Sequence, residues 1–477
     1  MESDRAVLVE MRAPASSANF LLDLRRLLPV PTFEADLGYR PVPLPATNYR
    51  QQMSLDTRRE QLVVIRGVIN DSRIEELSTL PGVVGIYVDC RIAPFNQSPD
   101  LNHHWPRRVC LELEKRGPDS CPIPPCDCSP EIPHGSIADV ARYLEVDRIW
   151  QDNVKGDGIA VGVVDGGIIA DARAEPGAFA AIPQVIGGWP IANWGTIAHW
   201  QRHGNSMASS ILGMAPHARL YDIRISDGST LSDAIAGFDW AINHFVRHGA
   251  PRILVNGWGI YESNWDLRYA DDAEHPLTRK VVEAIDHGII VVFAAGNCGQ
   301  SCPASQCGEC VGPNKSIWGV NGHERVLTVG AANIDEQLIG YSSQGPASLC
   351  EYKPDFCGIG HFAGYSAVDS GTSTASAVVA GVVALLLQAK PHLSSEALRK
   401  LLRSTAKDIG PPGWDRHSGA GIIQAGKAYE QLMSRCAKRP SGRNFDSVLH
   451  ENRRLRELIV RFALEKELLA DDGTLRS

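Results

Sequence analysis

Apolar positions change period several times along this chain, and each change marks a candidate element. Residues 6–11 read as a strand. After Ser16 or Ser17, positions Phe20, Leu21, Leu24, Leu27 and Leu28 recur at helical spacing. Residues 33–44 are broken by Pro41 and Pro43 and flanked by Pro45, which leaves irregular chain or an edge strand. Residues 62–69 form a second apolar run. Asn70 or Asp71 then caps a short helix over 72–80, Pro81-Gly82 ends it, and 83–88 is a last strand. This β-α-β-β-α-β order predicts a small ferredoxin-like α+β domain over residues 1–93.

Residues 94–136 hold many prolines and cysteines with little periodicity, and read as a linker. From 137 onward the pattern changes again. Short apolar runs at 159–164, 220–225, 253–256, 289–294 and 327–331 are each the size of a buried strand. Helical stretches at 231–248, 276–287 and 373–388 lie among them. The alternation predicts an α/β domain over 137–434 with a mostly parallel central sheet. In the charged segment 435–477, Val448, Leu449, Leu455, Leu458, Ile459 and Phe462 fall at helical spacing and predict a surface helix that docks on the domain.

Composition narrows the class of partner. Apolar residues make up 44% of the 477 and charged residues 21%, enough for a large core. The net charge of −8 disfavours nucleic acid, because phosphate binding needs an excess of Lys and Arg. No membrane contact is expected: the most apolar stretch, 375–389, is shorter than the ~20 residues of a spanning helix and reads as buried. The opening MESDRAVLVEMRAP is acidic and carries no export core, so a cytoplasmic location is expected, with non-classical export left open. In a reducing compartment the 12 cysteines would be thiols or metal ligands.

The chemistry lies in four glycine-bearing segments. Val-Val-Asp-Gly-Gly ends a strand at Asp165. His-Gly-Asn-Ser opens a helix at His203. Ala-Ala-Gly-Asn ends a strand at Asn297, and Ser-Gly-Thr-Ser-Thr-Ala places Ser373 at a helix start. Each has an ordinary explanation alone: a turn aspartate, a capping histidine, a turn asparagine, an N-cap serine. Together they supply the carboxylate, imidazole, amide donor and hydroxyl that acyl transfer through serine requires.

The four motifs, in the order Asp, His, Asn, Ser, resemble those of subtilisin-like serine proteases, the subtilases. Gly-Met-Ala-Pro at 213–216, Tyr-Ser-Ser-Gln-Gly-Pro at 341–346 and Gly-Ala-Gly-Ile-Ile-Gln-Ala at 419–425 add to the likeness. The resemblance departs at Gly166, Asn205, Ser206, Thr374 and Ala377, none of which removes a catalytic atom. It implies a three-layer subtilisin-like fold and a peptidase with Asp165, His203 and Ser373 as catalytic triad and Asn297 at the oxyanion. It also implies a polypeptide substrate, with Trp258 and Gly259 binding its backbone by strand addition. Leu-Pro-Gly-Val-Val-Gly-Ile-Tyr-Val-Asp at 80–89 is similar to the end of a subtilase propeptide. The N-terminal domain would then be an intramolecular inhibitor of a zymogen, removed by a cut in the linker. A processing protease for one precursor and an inactive binding module of the same fold are the alternatives.

No cofactor is expected for this chemistry. Cys298, Cys302, Cys307 and Cys310 lie within thirteen positions just after Asn297 and could hold a structural zinc, although their spacing is not that of paired Cys-x-x-Cys ligands. Disulfides and free thiols are the other readings. A structural calcium stays open, with no acidic loop to place it.

Overall fold

The computed structural model describes residues 4–14, 33–45, 60–95, 123, 126–129, 131–173, 181–265 and 267–437. The helix expected after Ser16 and the one expected beyond residue 440 lie outside the described residues. So does most of the linker. The chain divides into two units, residues 1–429 and 430–477.

The N-terminal strands are β1 (Asp4–Pro14), β2 (Glu34–Ala35), β3 (Val42–Leu44), β4 (Glu60–Asn70) and β5 (Val83–Val88). They form an antiparallel sheet in the order β2-β4-β1-β5, with β3 also on β4. Alternation in the first strand buries Val7, Val9 and Met11 in one cluster, and Leu8 in another on the opposite face. The Asn70 side chain accepts from the Ser72 N–H at 3.1 Å and starts the short helical segment that follows.

A nine-stranded sheet forms the second layer system among the described residues. Its strands are β7 (Cys126–Asp127), β8 (Ala160–Asp165), β9 (Val185–Trp189), β10 (Arg219–Arg224), β11 (Ile253–Asn256), β13 (Ile290–Ala294), β14 (Leu327–Ala332), β15 (Leu338–Ile339) and β16 (Phe356–Ile359). The order is β7-β15-β14-β13-β11-β8-β10-β9, with β16 on β14. Every pairing is parallel except β14 with β15. The central strands are buried on both faces, as continuous runs of Val, Ile and Ala require. Helices Leu231–His248 and Pro276–Asp286 pack together in the layer on one side. Helices His203–Met214 and Gly371–Ala389 pack on each other on the other side. The second pair carries His203 and Ser373 at its N-termini. The apolar helix Gly371–Ala389 is a buried core helix, with 89% of its most apolar window inside the protein.

One strand spans the expected boundary between the first domain and the linker, and a second lies within the linker. β6 (Ala93–Pro94) pairs antiparallel with β12 (Trp258–Gly259), and β7 joins the main sheet through β15. Neither is long enough to produce a periodicity, so only their partners reveal them.

The small domain sits on helices Leu231–His248 and Pro276–Asp286. Asp89 accepts from the Ser232 N–H at 2.8 Å and from its hydroxyl at 2.7 Å, satisfying a helix N-terminus across the junction. Buried Arg279 donates to Glu10 at 2.7 Å, and Tyr39 donates to the Ser232 carbonyl at 3.1 Å.

Candidate active site

Asp165 ends β8 at the C-terminal edge of the parallel sheet, where α/β folds leave a crevice. Its carboxylate is fully buried, and its Oδ1 accepts from the Gly166 N–H at 2.7 Å. Both carboxylate oxygens lie 2.9 Å from His203 Nδ1. That contact places the ring proton on Nδ1 and leaves Nε2 as an acceptor. His203 begins its helix directly after Trp200, Gln201 and Arg202, whose φ values of 51°, 57° and 63° are all left-handed. Such a run of non-glycine residues is strained and persists because the surrounding packing fixes it. It aims the ring into the cleft.

Ser373 is the third residue of helix Gly371–Ala389 and is buried. Its hydroxyl lies 2.9 Å from the Gly257 carbonyl and 2.7 Å from the Phe95 carbonyl. His203 and Ser373 meet at Gly257. A Cβ there would stand 2.8 Å from His203 Cε1 and 3.0 Å from Ser373 Oγ, so only glycine lets the two side chains converge. Among the described residues His203 Nε2 has no hydrogen-bond partner, because the serine is turned to the two carbonyls.

Asn297 follows β13 and is also fully buried. Its Oδ1 accepts from the Thr372 N–H at 3.0 Å and the Thr372 hydroxyl at 2.9 Å. With the oxygen so held, Nδ2 points the other way and has no partner among the described residues. A Cβ on Gly371 would lie 3.2 Å from that nitrogen and 2.4 Å from the Phe95 oxygen. The unpaired amide and the carbonyl that the serine touches thus both flank the open side of Gly371.

That carbonyl belongs to the protein's own chain. Pro94 and Ala93 pair with Trp258 and Gly259, and the Phe95 N–H donates to the Gly257 carbonyl at 2.7 Å. The Phe95 ring fills a pocket with Tyr261, Ala294, Cys298, Ala304 and Cys307. It meets Tyr261 edge-on, with centroids 5.1 Å apart. Sequence reasoning missed Phe95 and Tyr261, since neither sits in a recognisable motif. Through their backbones Trp258 and Gly259 pair with Pro94 and Ala93 of the same chain. The Trp258 side chain, however, is turned into the core, donating from Nε1 to the Val164 carbonyl at 2.9 Å and packing edge-on to Phe293.

The cysteine expectation needs correction. Cys298 is bonded to Cys307 and Cys302 to Cys128. Three of the four candidate zinc ligands are thus consumed, leaving Cys310 as a thiol. No cluster of three metal-ligating side chains occurs among the described residues. The spacing could not reveal this, because Cys128 lies 174 positions from its partner.

Asp222 on β10 is a further buried carboxyl beside the site. Its pKa is raised to about 7, chiefly by burial. The Gly195 N–H and Arg224 pull it down, and the charge of Asp165 pushes it up. The unfolded chain ionises near ~3.9. As pH rises from there to about 7, the folded state keeps a proton that the unfolded state has lost, so stability falls over that window. In a Ser373→Ala background, Asp222→Asn keeps an acceptor for the Gly195 N–H. It should raise the thermal midpoint at pH 8 and lose that advantage by pH 4. Equal shifts at both pH values would contradict this.

A hydroxyl, an imidazole, a carboxylate and an amide gathered in one buried cleft have the composition of a serine hydrolase site. The chain belongs to the subtilase family, whose family model matches residues 156–421. It is 30% identical to the serine protease AprX of Bacillus subtilis, over 61% of this chain and 70% of that protein. It is 28% identical to subtilisin DY of Bacillus licheniformis, over 60% of this chain and 96% of that protein. The fold is shared with fervidolysin of Fervidobacterium pennivorans at a TM-score of 0.54 and 17% identity, covering 90% of this chain and 61% of that one. The protein is a subtilisin-like serine endopeptidase, and polypeptide is its substrate class.

Proposed function

We propose that this endopeptidase is made as a zymogen and that its first substrate is its own Phe95–Asn96 bond. The observation that carries the reading is the Phe95 carbonyl, 2.7 Å from Ser373 Oγ, on a segment hydrogen-bonded to the cleft as a substrate strand would be. Attack begins when the Ser373 hydroxyl turns from the two carbonyl oxygens and gives its proton to His203 Nε2. Oγ then bonds the Phe95 carbonyl carbon, and the carbonyl electron pair moves onto oxygen. Asn297 Nδ2 donates to that oxyanion. Asp165 holds the imidazolium. Collapse breaks the C–N bond, and His203 protonates the departing Asn96 amine, leaving an ester of Phe95 on Ser373. Water, deprotonated by His203, hydrolyses the ester by the same steps.

After the cut, the N-terminal domain is a separate chain that stays bound and inhibits the enzyme. Its contacts through Asp89, Glu10 and Tyr39 survive cleavage, so it keeps residues 93–95 in the cleft until it is displaced. The test is intact-mass analysis and N-terminal sequencing of purified full-length protein. The reading expects a fragment beginning at Asn96 and labelling of the enzyme by a fluorophosphonate probe. An uncut chain with full activity would rule out the zymogen. An uncut, unlabelled chain would rule out this catalytic assignment.

Phe95 also supports a substrate preference for large aromatic residues before the scissile bond. The pocket floor is open because residue 259 has no side chain: a Cβ there would lie 2.7 Å from Phe95 Cζ. Gly259→Ala should lower kcat/KM after Phe by about 10–100-fold relative to cleavage after Ala, as hydrophobic pocket changes of this size do. Peptide substrates differing only at that position give the ratio. An unchanged ratio would mean that Phe95 does not mark the specificity pocket.

Two disulfides sit poorly with the cytoplasmic expectation and support an oxidising compartment. Thiol counting on the native protein, with and without reductant, checks the pairing on which that rests.

A further inference from the structure

The helix that carries Ser373 starts inside the protein without a cap of its own. Ser370 occupies the N-cap position but makes no side-chain cap bond. The first N–H groups of a buried helix must still find acceptors. Asn297 takes the one from Thr372. The Gly371 N–H is taken by the Tyr341 hydroxyl at 2.5 Å.

Tyr341 is the end of a buried chain of side chains. Its hydroxyl lies 2.8 Å from His361 Nε2, and His361 Nδ1 lies 2.5 Å from Asp127 Oδ2. Asp127 also accepts from the Ser129 N–H at 2.9 Å and from Asn333 Nδ2 at 3.2 Å. Tyr341, His361 and Asp127 are all below 9% exposure. His361 has a left-handed φ of 56°, a strained conformation for a side-chain-bearing residue. Asp127 itself belongs to β7 and lies next to Cys128, whose disulfide to Cys302 ties this short strand to the loop after Asn297.

Only one arrangement of protons satisfies all these atoms. A carboxylate at Asp127 requires His361 to carry its proton on Nδ1. Nε2 must then accept, so the Tyr341 hydroxyl donates to it. The remaining Tyr341 lone pairs face Gly371, whose N–H donates into them. The direction runs from the nucleophile's helix to Asp127 without a break. Burial pushes the Tyr341 hydroxyl well above its ordinary pKa, so it stays protonated as the chain requires.

We propose that Asp127, His361 and Tyr341 are positioning residues that hold the first turn of the nucleophile's helix, and through it Ser373, in register with Asn297 and His203. Among the described residues none of the three hydrogen-bonds to the Phe95 carbonyl or to Ser373. They act through the Gly371 N–H, two residues before the nucleophile. The inference rests on Ser373 being the nucleophile.

Tyr341→Phe removes one oxygen and keeps the ring. It leaves the Gly371 N–H unpaired and lets the helix start shift, where small misplacements cost large factors in rate. Asp127→Asn puts an amide against His361. The amide can donate to Nδ1 and force the proton onto Nε2, which then competes with Gly371 for the Tyr341 oxygen.

The test uses the full chain and a peptide substrate, with active enzyme counted by fluorophosphonate labelling, so poorly folded molecules do not enter kcat. Tyr341→Phe is expected to lower kcat about tenfold or more with KM within twofold. Asp127→Asn is expected to do the same to a smaller degree. The double variant should be no slower than Tyr341→Phe alone, because one chain broken twice is still one broken chain. A Tyr341→Phe kcat within twofold of wild type would overturn the proposal. So would additive losses in the double variant, which would indicate independent packing roles. Failure of wild-type labelling would instead strike at the nucleophile assignment and is distinguishable from either result.

Discussion

Ser373→Ala should leave a protein that folds, docks its own N-terminal domain and does not cut. The loss in kcat is expected to be on the order of 10⁶, because without the nucleophile no acyl-enzyme forms and only the oxyanion donor and binding remain. The fold should tolerate the change. The Gly257 carbonyl that the hydroxyl contacts already accepts the Phe95 N–H at 2.7 Å, so it is not orphaned. The hydroxyl's loss should cost no more than about 1 kcal/mol. Three readouts must agree: no fluorophosphonate label, a single species at the mass of the full chain, and a thermal midpoint close to that of the unprocessed wild type. A fragment beginning at Asn96 that still accumulates in purified Ser373→Ala protein would show that another group makes the cut.

Asn297 is the second large expected effect, and here two jobs must be separated. Its oxygen holds the Thr372 N–H and hydroxyl, while its nitrogen and the Phe95 carbonyl both flank the open side of Gly371. Asn297→Ala loses both. The rate should fall about 10²–10³-fold from the missing oxyanion donor. Stability should fall by about 1–3 kcal/mol from a buried N–H left without an acceptor. Asn297→Asp separates the two, since a carboxylate keeps the acceptor for Thr372 and removes the donor. Its thermal midpoint should lie above that of Asn297→Ala, while its kcat is at least as low, because a negative charge now faces a developing negative charge. KM should move little in either variant. A kcat for Asn297→Asp within threefold of wild type would show that the amide does not stabilise the reacting oxygen.

How legible these features were depended on how far apart in sequence their parts lie. Strand β5 and helix Leu231–His248 match the expected segments residue for residue, and β11 does too. Each is bounded by local signals: Pro81-Gly82 before β5, and Gly249 with a left-handed φ of 72° after the helix. Strand β9 escaped, because Val185–Trp189 contains two glycines and has no apolar run. The turns that carry Asp165, His203, Asn297 and Ser373 were readable because each sits at the end of a strand or the start of a helix whose own residues set the local backbone. Phe95 was not. It looks like any aromatic residue in a proline-rich stretch, and its meaning comes from Gly257, Tyr261 and Ser373.

The sequence alone determined the class of chemistry and the parallel α/β architecture, since period, turn chemistry and motif order are short-range properties. Tertiary structure alone decided which carbonyl lies against Ser373, which cysteines are bonded, and that Tyr341 rather than Ser370 takes the first N–H of the nucleophile's helix. Those outcomes depend on pairs of groups separated by tens to hundreds of residues. Buried polar groups must find partners wherever the fold brings them, and no local pattern records which partner that will be.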